Sequence, residues 1–220
     1  MIHVALDIGN VLVHADFKPF LNKLSKSLNI TLEEAMYFMN RSQKLHDLGL
    51  TQMSDELRDH FKIRSPITIN ELIDDWNAVI QPADYILDIL NKMMAENDLQ
   101  VALLSNVGLE HAKRMEVILN HDNFFQNTTK HFSCHVGARK PTILYYHTFL
   151  QLHPAFEGCV YVDDLQENLN ASKQFGFKTF RFSLEEITGA NYEESKYANK
   201  VLELQNFILD QPEPPNRRWH

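Results

Sequence analysis

Five short apolar runs constrain the fold of this 220-residue chain more than any other feature. They lie at Ile2–Leu6, 100–104, 131–134, 159–162 and 178–182. Residues 101–104, for example, are all valine, alanine or leucine and do not alternate with polar residues. Continuous apolar runs are typical of strands that are buried on both faces of a parallel sheet. We therefore predict that these runs form one mainly parallel sheet.

Helical patterns follow three of the runs, at 109–119, Ile143–Leu152 and 168–175. Gly176 comes directly after the last pattern, at a position where helices often end. Strands that alternate with helices form sheets with helices packed on both faces. The sequence thus predicts an α/β fold with a Rossmann-like, doubly wound core.

Residues 15–81 interrupt this alternation, because they contain no convincing strand. Leu21, Leu24 and Leu28 are spaced as on one face of a helix, and similar patterns recur further along the segment. The segment is long enough for several helices. We therefore predict that it forms an all-helical cap inserted into the α/β core.

Several polar residues predict where the helices of the cap begin. Thr31 with Glu34, and Thr68 with Glu71, have the spacing of a capping box. Thr51 is expected to cap a third helix. These signals place three helix starts within the cap.

Proline sets the two remaining boundaries. Pro82 is expected in the first turn of a helix at 83–95, which leads back into the sheet. The proline-rich end of the chain cannot continue a helix and is expected to be flexible. The predicted division is a core at 1–14 and 82–210, a cap at 15–81 and a tail at 211–220.

Polar residues follow four of the five predicted strands. In chain order they are Asp7, Gly9 and Asn10, then Ser105 and Asn106, then Lys140, and finally Asp163, Asp164 and Asn168. Ligands of doubly wound sheets bind beyond the carboxyl ends of the strands. We therefore expect these residues to meet at one rim of the sheet.

This set of groups suits phosphoryl transfer. A carboxylate nucleophile divides a slow displacement into two steps through an acyl phosphate. A hard cation such as Mg²⁺ relieves the repulsion between clustered carboxylates and a phosphate. An ammonium, a hydroxyl and the backbone N–H groups of the Gly9-Asn10 turn could bind the phosphate oxygens.

The same residues resemble a known superfamily. Residues 7–12, 104–106, 137–141 and 162–164 with Asn168 are similar to the four signature motifs of the haloacid dehalogenase-like (HAD) superfamily, in the same order. Within it, the sequence most resembles the α-D-glucose-1-phosphate phosphatase-like enzymes and the phosphatase domain of soluble epoxide hydrolases. The resemblance covers residues 2–182, and the predicted cap lies where that superfamily carries a helical cap.

The resemblance implies a Mg²⁺-dependent phosphatase that acts on a small phosphomonoester, with a sugar phosphate as one candidate, through an aspartyl phosphate. By this resemblance, Asp7 is the nucleophile and a metal ligand, and Asp164 and the carbonyl of Gly9 are further metal ligands. Ser105 and Asn106 bind the phosphate, and Lys140 neutralises the charge of the nucleophile and the phosphate. Asp163 orients Lys140 or the metal waters, and Asn168 supports the loop that carries Asp163 and Asp164.

One position departs from the pattern. Most phosphatases of the superfamily carry a second Asp two residues after the nucleophile as general acid and base, and this chain has Gly9 there. Asp16, Asp163, His14 or water could take that role, and the sequence does not choose among them. Because of Gly9, two alternatives stay open: a hydrolytic dehalogenase, and a catalytically silent phosphate-binding or regulatory protein.

Composition and charge limit the classes of partner that the protein is expected to bind. The formal charge of −8 argues against a nucleic-acid or membrane-surface binder. No apolar stretch approaches the ~20 residues of a membrane span, and Asp7 interrupts the first apolar run, so no signal peptide is expected. We predict a cytoplasmic protein with a small phosphorylated metabolite as its partner. The oligomeric state, monomer or homodimer, stays open.

A few residues have two interpretations. His46, Asp47 and Trp76 either line the cap side of the pocket or simply pack within the cap. Cys134 and Cys159 are expected to be buried free thiols in strands.

Overall fold

Five parallel strands form the central sheet of the computed structural model, which describes residues 1–120, 123–188 and 194–210. In chain order they are β1 (Ile2–Leu6), β4 (Leu99–Ser105), β5 (Thr129–Phe132), β6 (Val160–Asp163) and β7 (Lys178–Arg181). Their order in the sheet is β5-β4-β1-β6-β7, and every neighbouring pair is parallel. The predicted mainly parallel sheet is confirmed, with strand ends displaced by up to two residues.

The sheet is covered on both faces, as the apolar runs predicted. Val4 and Leu6 of β1 belong to one cluster of buried side chains, while Ala5 belongs to a second cluster. Successive residues of a strand point to opposite faces, so both faces of β1 are packed. This packing explains why its sequence does not alternate between apolar and polar residues.

Helices lie between the later strands of the sheet and after the last one. They are α5 (Asp84–Asn97), α6 (Leu109–Ile118), the short α7 (Ser133–Val136), α8 (Ile143–Leu152), α9 (Gln166–Ser172), α10 (Leu184–Thr188) and α11 (Glu194–Leu209). A 3-10 turn at Lys173–Phe175 extends α9, and Gly176 ends it with a φ of +81°. That left-handed backbone favours glycine, so the predicted helix end at Gly176 is confirmed.

Four helices follow β1 within the predicted cap. They are α1 (Lys18–Leu28), α2 (Leu32–Asp47), α3 (Met53–Phe61) and α4 (Pro66–Ala78). The capping box at the start of α2 is confirmed, because the Thr31 side chain accepts from the Glu34 N–H and Glu34 accepts from the Thr31 N–H. Buried side chains of α1, α2 and α4, such as Phe20, Phe38 and Trp76, share one apolar cluster with β1.

The segment is not free of strands at its two ends. β2 (Val13–Ala15) and β3 (Ile80–Pro82) form an antiparallel pair in which Val13 lies opposite Pro82. Strands of three residues are too short to give a readable pattern. The expectation that Pro82 lies in the first turn of a helix is therefore wrong; α5 begins at Asp84. Proline is accepted in β3 because a two-stranded ribbon leaves N–H positions unpaired.

Two predicted helix caps are also wrong. The N-cap of α3 is Gln52 and not Thr51. The N-cap of α4 is Ser65, whose side chain accepts from the Thr68 N–H, so Thr68 lies inside the helix. Proline directly after Ser65 fixes this start, because its missing N–H suits the first helical position.

The third strand ends earlier than predicted. β5 stops at Phe132, and Cys134 lies in α7. Cys159 precedes β6, and both cysteines are free thiols, of which Cys159 is buried and Cys134 half-buried. The predicted tail at 211–220 lies outside the described residues.

Candidate active site

Lys140 lies between two carboxylates at the carboxyl ends of the central strands. Its Nζ is 2.7 Å from Oδ1 of Asp7 and 2.8 Å from Oδ2 of Asp163. It also donates a hydrogen bond of 2.8 Å to the carbonyl of Leu104. The side chain of Lys140 is fully buried, so these three acceptors surround its ammonium group. The structure thus brings together side chains from three of the four segments that were expected to meet at one rim.

Asp7, Asp163 and Asp164 form an acidic cluster. Each offers a carboxylate oxygen, and these oxygens lie within 4.8 Å of one another. Asp7 and Asp163 are buried and Asp164 is half-buried. Three carboxylates thus face one ammonium, which leaves an excess of negative charge that a divalent cation would balance. The donor set consists of oxygens, as Mg²⁺ prefers, so the residues present fit such an ion.

Burial dominates the electrostatics of the cluster. It raises the pKa of the Asp7 carboxyl; Lys140 opposes this shift, and the charges of Asp163 and Asp164 add to it. The pKa of Asp164 is raised as well, by burial and by the charge of Asp163. Although burial disfavours its charged form, the pKa of Lys140 is raised, because Asp163 and Asp7 stabilise the ammonium. Lys140 therefore stays charged. Its single positive charge does not balance the three neighbouring carboxylates.

Asp163 is held more firmly than the other two acids. Its Oδ1 accepts from the Leu165 N–H at 2.8 Å and from Nδ2 of Asn168 at 3.0 Å. Its Oδ2 accepts from Lys140 and from the hydroxyl of Tyr161. A fully buried carboxylate with four donors has a fixed orientation. Asn168 thus helps to fix the orientation of Asp163.

Tyr161 was not recognised in the sequence. It lies two residues before Asp163 in β6, so both side chains point to the same face of the sheet. The strand period was the available signal, but an aromatic residue in a buried strand usually only packs. Tyr161 therefore contributes a polar contact that its position alone does not predict.

Asn106 braces the backbone of Lys140. Its Nδ2 donates to the Lys140 carbonyl at 2.9 Å, and its Oδ1 accepts from the Lys140 N–H at 2.8 Å. Ser105, directly before it, is buried at the end of β4. The side-chain amide of Asn106, which was predicted to bind phosphate, is therefore engaged in hydrogen bonds to the backbone of Lys140.

Gly9 and Asn10 form the turn that follows Asp7. The Ile8 carbonyl accepts from the N–H groups of Leu12 and Val13, which closes the turn. The N–H of Asn10 donates to the Val13 carbonyl at 2.7 Å, so this predicted phosphate ligand is already engaged. The Asn10 side chain instead reaches Oδ2 of Asp164 at 3.4 Å. A Cβ placed on Gly9 would meet no atom within 4 Å, so open space lies above this residue.

The end of α2 contacts the core beside the site. Nε2 of His46 lies 2.9 Å from the Glu110 carboxylate, which also accepts from the Met53 N–H at 2.8 Å. Asp47 is paired with Arg139 at 2.8 Å, directly before Lys140 in the chain. We call these two pairs, His46–Glu110 and Asp47–Arg139, the cap junction.

Burial decides between the two interpretations of the cap residues. His46, Asp47 and Trp76 are each at most 3% exposed, and Trp76 is stacked on His111 with ring centroids 4.3 Å apart. In this conformation they pack where the predicted cap meets the rest of the chain. Neither the two pairs nor the stacked rings were predicted, because each joins residues more than thirty positions apart.

Solved structures share this architecture. A HAD family enzyme from Bacteroides thetaiotaomicron matches with a TM-score of 0.72 at 18% identity, over 82% of this chain and 93% of that chain. A protein from Porphyromonas gingivalis described as a predicted HAD-like family hydrolase matches with a TM-score of 0.66 at 14% identity, over 90% and 97% of the two chains.

The chain has the HAD-like fold. L-2-haloacid dehalogenase from Xanthobacter autotrophicus, with chloropropionic acid covalently bound, matches this fold with a TM-score of 0.57 at 13% identity, over 90% of this chain and 88% of that chain. The Bacteroides HAD family enzyme is also known in a complex with magnesium and inorganic phosphate. The fold class predicted from the sequence is thus confirmed.

No sequence match adds to the structural similarity described above. No protein-family model matches the chain, and no curated protein is significantly similar to it. Among the helices that the structure describes, none combines the length and apolar character needed to cross a membrane.

Proposed function

We propose that the protein is a Mg²⁺-dependent phosphatase that hydrolyses a small phosphomonoester, with a sugar phosphate as one candidate, through an aspartyl phosphate on Asp7. The observation that carries this proposal is the ion pair of 2.7 Å between Asp7 and Lys140, beside Asp163 and Asp164. A buried nucleophilic carboxylate, a fixed ammonium and surplus acidic oxygens are the parts that phosphoryl transfer to a carboxylate requires.

In the first step the free oxygen of Asp7 attacks phosphorus. Lys140 holds Oδ1 of Asp7, which leaves the other carboxylate oxygen to form the new bond. The bond between phosphorus and the leaving oxygen breaks, and the electron pair leaves with that oxygen. Water then attacks the phosphorus of the aspartyl phosphate, and the Asp7 carboxylate departs to give inorganic phosphate.

Lys140 keeps its proton throughout these steps. Its raised pKa and its three acceptors hold it as an ammonium that offsets the charge of Asp7 and of the entering phosphate. Asn106 holds the Lys140 backbone in place, and Ser105 at the end of β4 is the proposed hydroxyl ligand of the phosphate. Asn168 fixes Asp163 and, through it, the second side of the ammonium.

Mg²⁺ would be held by the carboxylates of Asp7 and Asp164 and by the carbonyl of Gly9. Bound there, it would supply positive charge to the carboxylates and to a phosphate oxygen. The magnesium and phosphate bound to the Bacteroides enzyme of the same fold support this assignment.

We further propose that residues 15–81 act as a cap that shields the reacting groups from bulk water. The cap junction supports this role, because Asp47 of α2 is paired with the residue next to Lys140. The core would then comprise residues 1–14 and 82–210.

The test is hydrolysis of p-nitrophenyl phosphate and of a panel of sugar phosphates, with Mg²⁺ and with EDTA. We expect turnover that needs Mg²⁺ and falls at least ~10³-fold in Asp7→Asn, because an amide cannot act as the nucleophile. Asp55→Asn, at an exposed residue of α3, is the matched control and should retain activity. Equal turnover by Asp7→Asn would remove Asp7 from the mechanism, and binding of phosphate without any turnover would indicate a silent binding protein.

A second candidate is a hydrolytic dehalogenase in which Asp7 attacks carbon. It is favoured by the absence of a side chain at Gly9 and by the shared fold with the Xanthobacter dehalogenase. Chloride release from a 2-chloro acid in EDTA, together with no hydrolysis of p-nitrophenyl phosphate, would favour it over the phosphatase.

A further inference from the structure

A buried tyrosine shares the carboxylate of Asp163 with Lys140. The hydroxyl of Tyr161 donates to Oδ2 of Asp163, and the same oxygen lies 2.8 Å from Nζ of Lys140. We propose that Tyr161 is a positioning residue, which keeps Asp163 compensated while the ammonium of Lys140 turns towards a phosphate oxygen. This inference rests on the proposed phosphatase function and adds a residue to the same site.

Every proton of the Lys140 ammonium already faces an acceptor. A lysine ammonium carries three protons, and around Nζ lie the Leu104 carbonyl, Asp7 and Asp163. A phosphate oxygen that approaches Nζ is a further acceptor, so one of these contacts must lengthen. The contact with Asp7 has to remain, because it leaves the second oxygen of that carboxylate free to attack phosphorus.

Asp163 can release the ammonium at a reduced cost, because it has other donors. Its Oδ1 accepts from the Leu165 N–H, and Nδ2 of Asn168 lies 3.0 and 3.1 Å from its two oxygens. These two donors keep the carboxylate in place. The hydroxyl of Tyr161 is directed at Oδ2, the oxygen from which the ammonium would withdraw. Since a buried oxygen that loses its donor is costly, this hydroxyl lowers the cost of the movement.

The ring of Tyr161 is held by packing that does not depend on its hydroxyl. It is fully buried, and its centroid lies 6.0 Å from that of Tyr146 and 5.8 Å from that of Phe177. Nζ of Lys140 lies 5.8 Å from the same ring. The substitution Tyr161→Phe keeps these ring contacts and removes a single oxygen atom. It therefore tests the hydroxyl and not the packing.

The experiment compares Tyr161→Phe with Thr128→Val in the hydrolysis of p-nitrophenyl phosphate with Mg²⁺. Thr128 is the matched control, because its buried hydroxyl donates to the Phe125 carbonyl at 2.9 Å, at the amino end of β5 and not at the carboxyl ends of the strands. We expect kcat of Tyr161→Phe to fall at least ~10-fold, since Lys140 is then misplaced for the charge that develops on the phosphate. KM should change less than ~3-fold, because the interaction belongs to the transition state. Thr128→Val should keep the wild-type kcat.

The response to Mg²⁺ separates positioning of Lys140 from damage to the metal site. Asp7, Asp164 and the carbonyl of Gly9 are the proposed ligands, and the hydroxyl of Tyr161 contacts Asp163 instead. The increase in Tm on addition of Mg²⁺ should therefore be the same in Tyr161→Phe as in the wild-type protein. A smaller increase in the variant would place the effect of Tyr161 on the metal and overturn the proposal.

The wild-type protein gives a test that needs no variant at Tyr161. The hydroxyl proton of this residue is followed by NMR in protein with ¹³C-labelled tyrosine, first with Mg²⁺ alone and then with inorganic phosphate added. We expect the signal to move when phosphate is added, because Tyr161 then compensates more of the charge on Asp163. A signal that stays in place at saturating phosphate would overturn the proposal. If Tyr161→Phe did not fold, as judged by circular dichroism, this measurement would decide.

The outcomes separate the two proposals. A kcat of Tyr161→Phe equal to that of Thr128→Val would overturn the role of Tyr161 and leave the phosphatase standing. No turnover of p-nitrophenyl phosphate or of any sugar phosphate by the wild-type protein would overturn the phosphatase, and the role of Tyr161 with it.

Discussion

Lys140 is the single residue on which the site depends most for charge balance. It is fully buried between Asp7 and Asp163, and both carboxylates lose their ammonium partner if it is removed. Removing one partner of such a pair leaves an uncompensated charge in a medium of low polarity. The same arrangement therefore supports both the proposed reaction and the fold.

We predict that Lys140→Met lowers the free energy of unfolding by about 3–5 kcal/mol, in addition to abolishing turnover. Urea denaturation followed by circular dichroism measures the loss. Adding Asp163→Asn to this variant should recover part of the stability but none of the activity, because it removes one unpaired charge. A loss below about 1 kcal/mol would show that water or a cation already compensates the pair.

Two buried histidines make the protein sensitive to acid. Burial lowers the pKa of His111 from its ordinary value of 6.5 to about 3, and that of His131 to about 4. The unfolded chain takes up these protons below pH 6.5 while the folded protein does not. Stability therefore falls as the pH decreases from 6.5 towards 4, by about 1.4 kcal/mol per pH unit for each histidine.

The corresponding variant is His111→Phe, which keeps a ring stacked on Trp76 but cannot be protonated. Its stability at pH 7 should be lower, because the hydrogen bond from His111 to the Trp76 carbonyl is lost. Between pH 6.5 and 4 its stability should fall less steeply than that of the wild-type protein. Parallel curves for the two proteins in urea titrations would contradict the assignment.

Among the elements, the end of α2 closely approaches Gly108, the residue before α6. A Cβ on Gly108 would lie 2.0 Å from Cε1 of His46, whose ring is buried against the start of α6. This glycine is required for close approach and not for its backbone angles, since its φ is −80°. The absence of a side chain thus lets the end of α2 reach Glu110.

We predict that Gly108→Ala destabilises the protein by about 1–3 kcal/mol, because the imidazole of His46 must move. In a His46→Ala background the same substitution should cost much less, since the methyl group then enters vacated space. A double-mutant cycle in urea measures this coupling. Additive losses would mean that the two helices adjust independently.

Helices and strands were predicted correctly where a local sequence pattern marks them. They were missed where an element depends on pairing with residues far away in the sequence. The continuous apolar run before Ser105 identified β4, and the paired signals at Thr31 identified the start of α2. The pairing of Val13 with Pro82 was missed, because three residues carry no period and their partner lies far along the chain. Ser65 was overlooked although Pro66 follows it, a pairing that does signal a helix start.

For the whole molecule, the cluster of acids links cation binding to folding. Asp7, Asp163 and Asp164 come from two strand ends that are brought together only in the folded sheet. A ligand that binds only the folded state stabilises it by an amount that grows with the ligand concentration. Stability should therefore report Mg²⁺ binding without any assay of activity.

We predict that Mg²⁺ at 100 times its Kd adds about 2.7 kcal/mol to the free energy of unfolding, and that EDTA reverses the gain. Asp164→Asn should abolish the effect, while Asp55→Asn should retain it. Thermal denaturation at several Mg²⁺ concentrations provides the measurement. A Tm that does not respond to Mg²⁺ in the wild-type protein would argue against the site.

At this scale the strand ends were predictable, because parallel strands all place their carboxyl ends on one side of a sheet. That rule places Asp7 and Asp163 at one rim, whereas Lys140 lies beyond α7, which follows β5, so its approach to Asp7 did not follow from the rule alone. The cap junction was not predictable, since nothing local to His46 indicates Glu110 as its partner. The topology of the sheet could be inferred from the sequence. The contacts between the predicted cap and the rest of the chain could not.

The short ribbon of β2 and β3 has an evolutionary consequence. Because Val13 and Pro82 lie side by side, the segment between them begins and ends at neighbouring points. Insertions or deletions between them can lengthen, shorten or replace the helices without stretching the connection to β1, and the entropic cost of a longer connection grows only slowly. Natural variation in length and sequence should therefore accumulate in this segment first, while the central sheet stays the same.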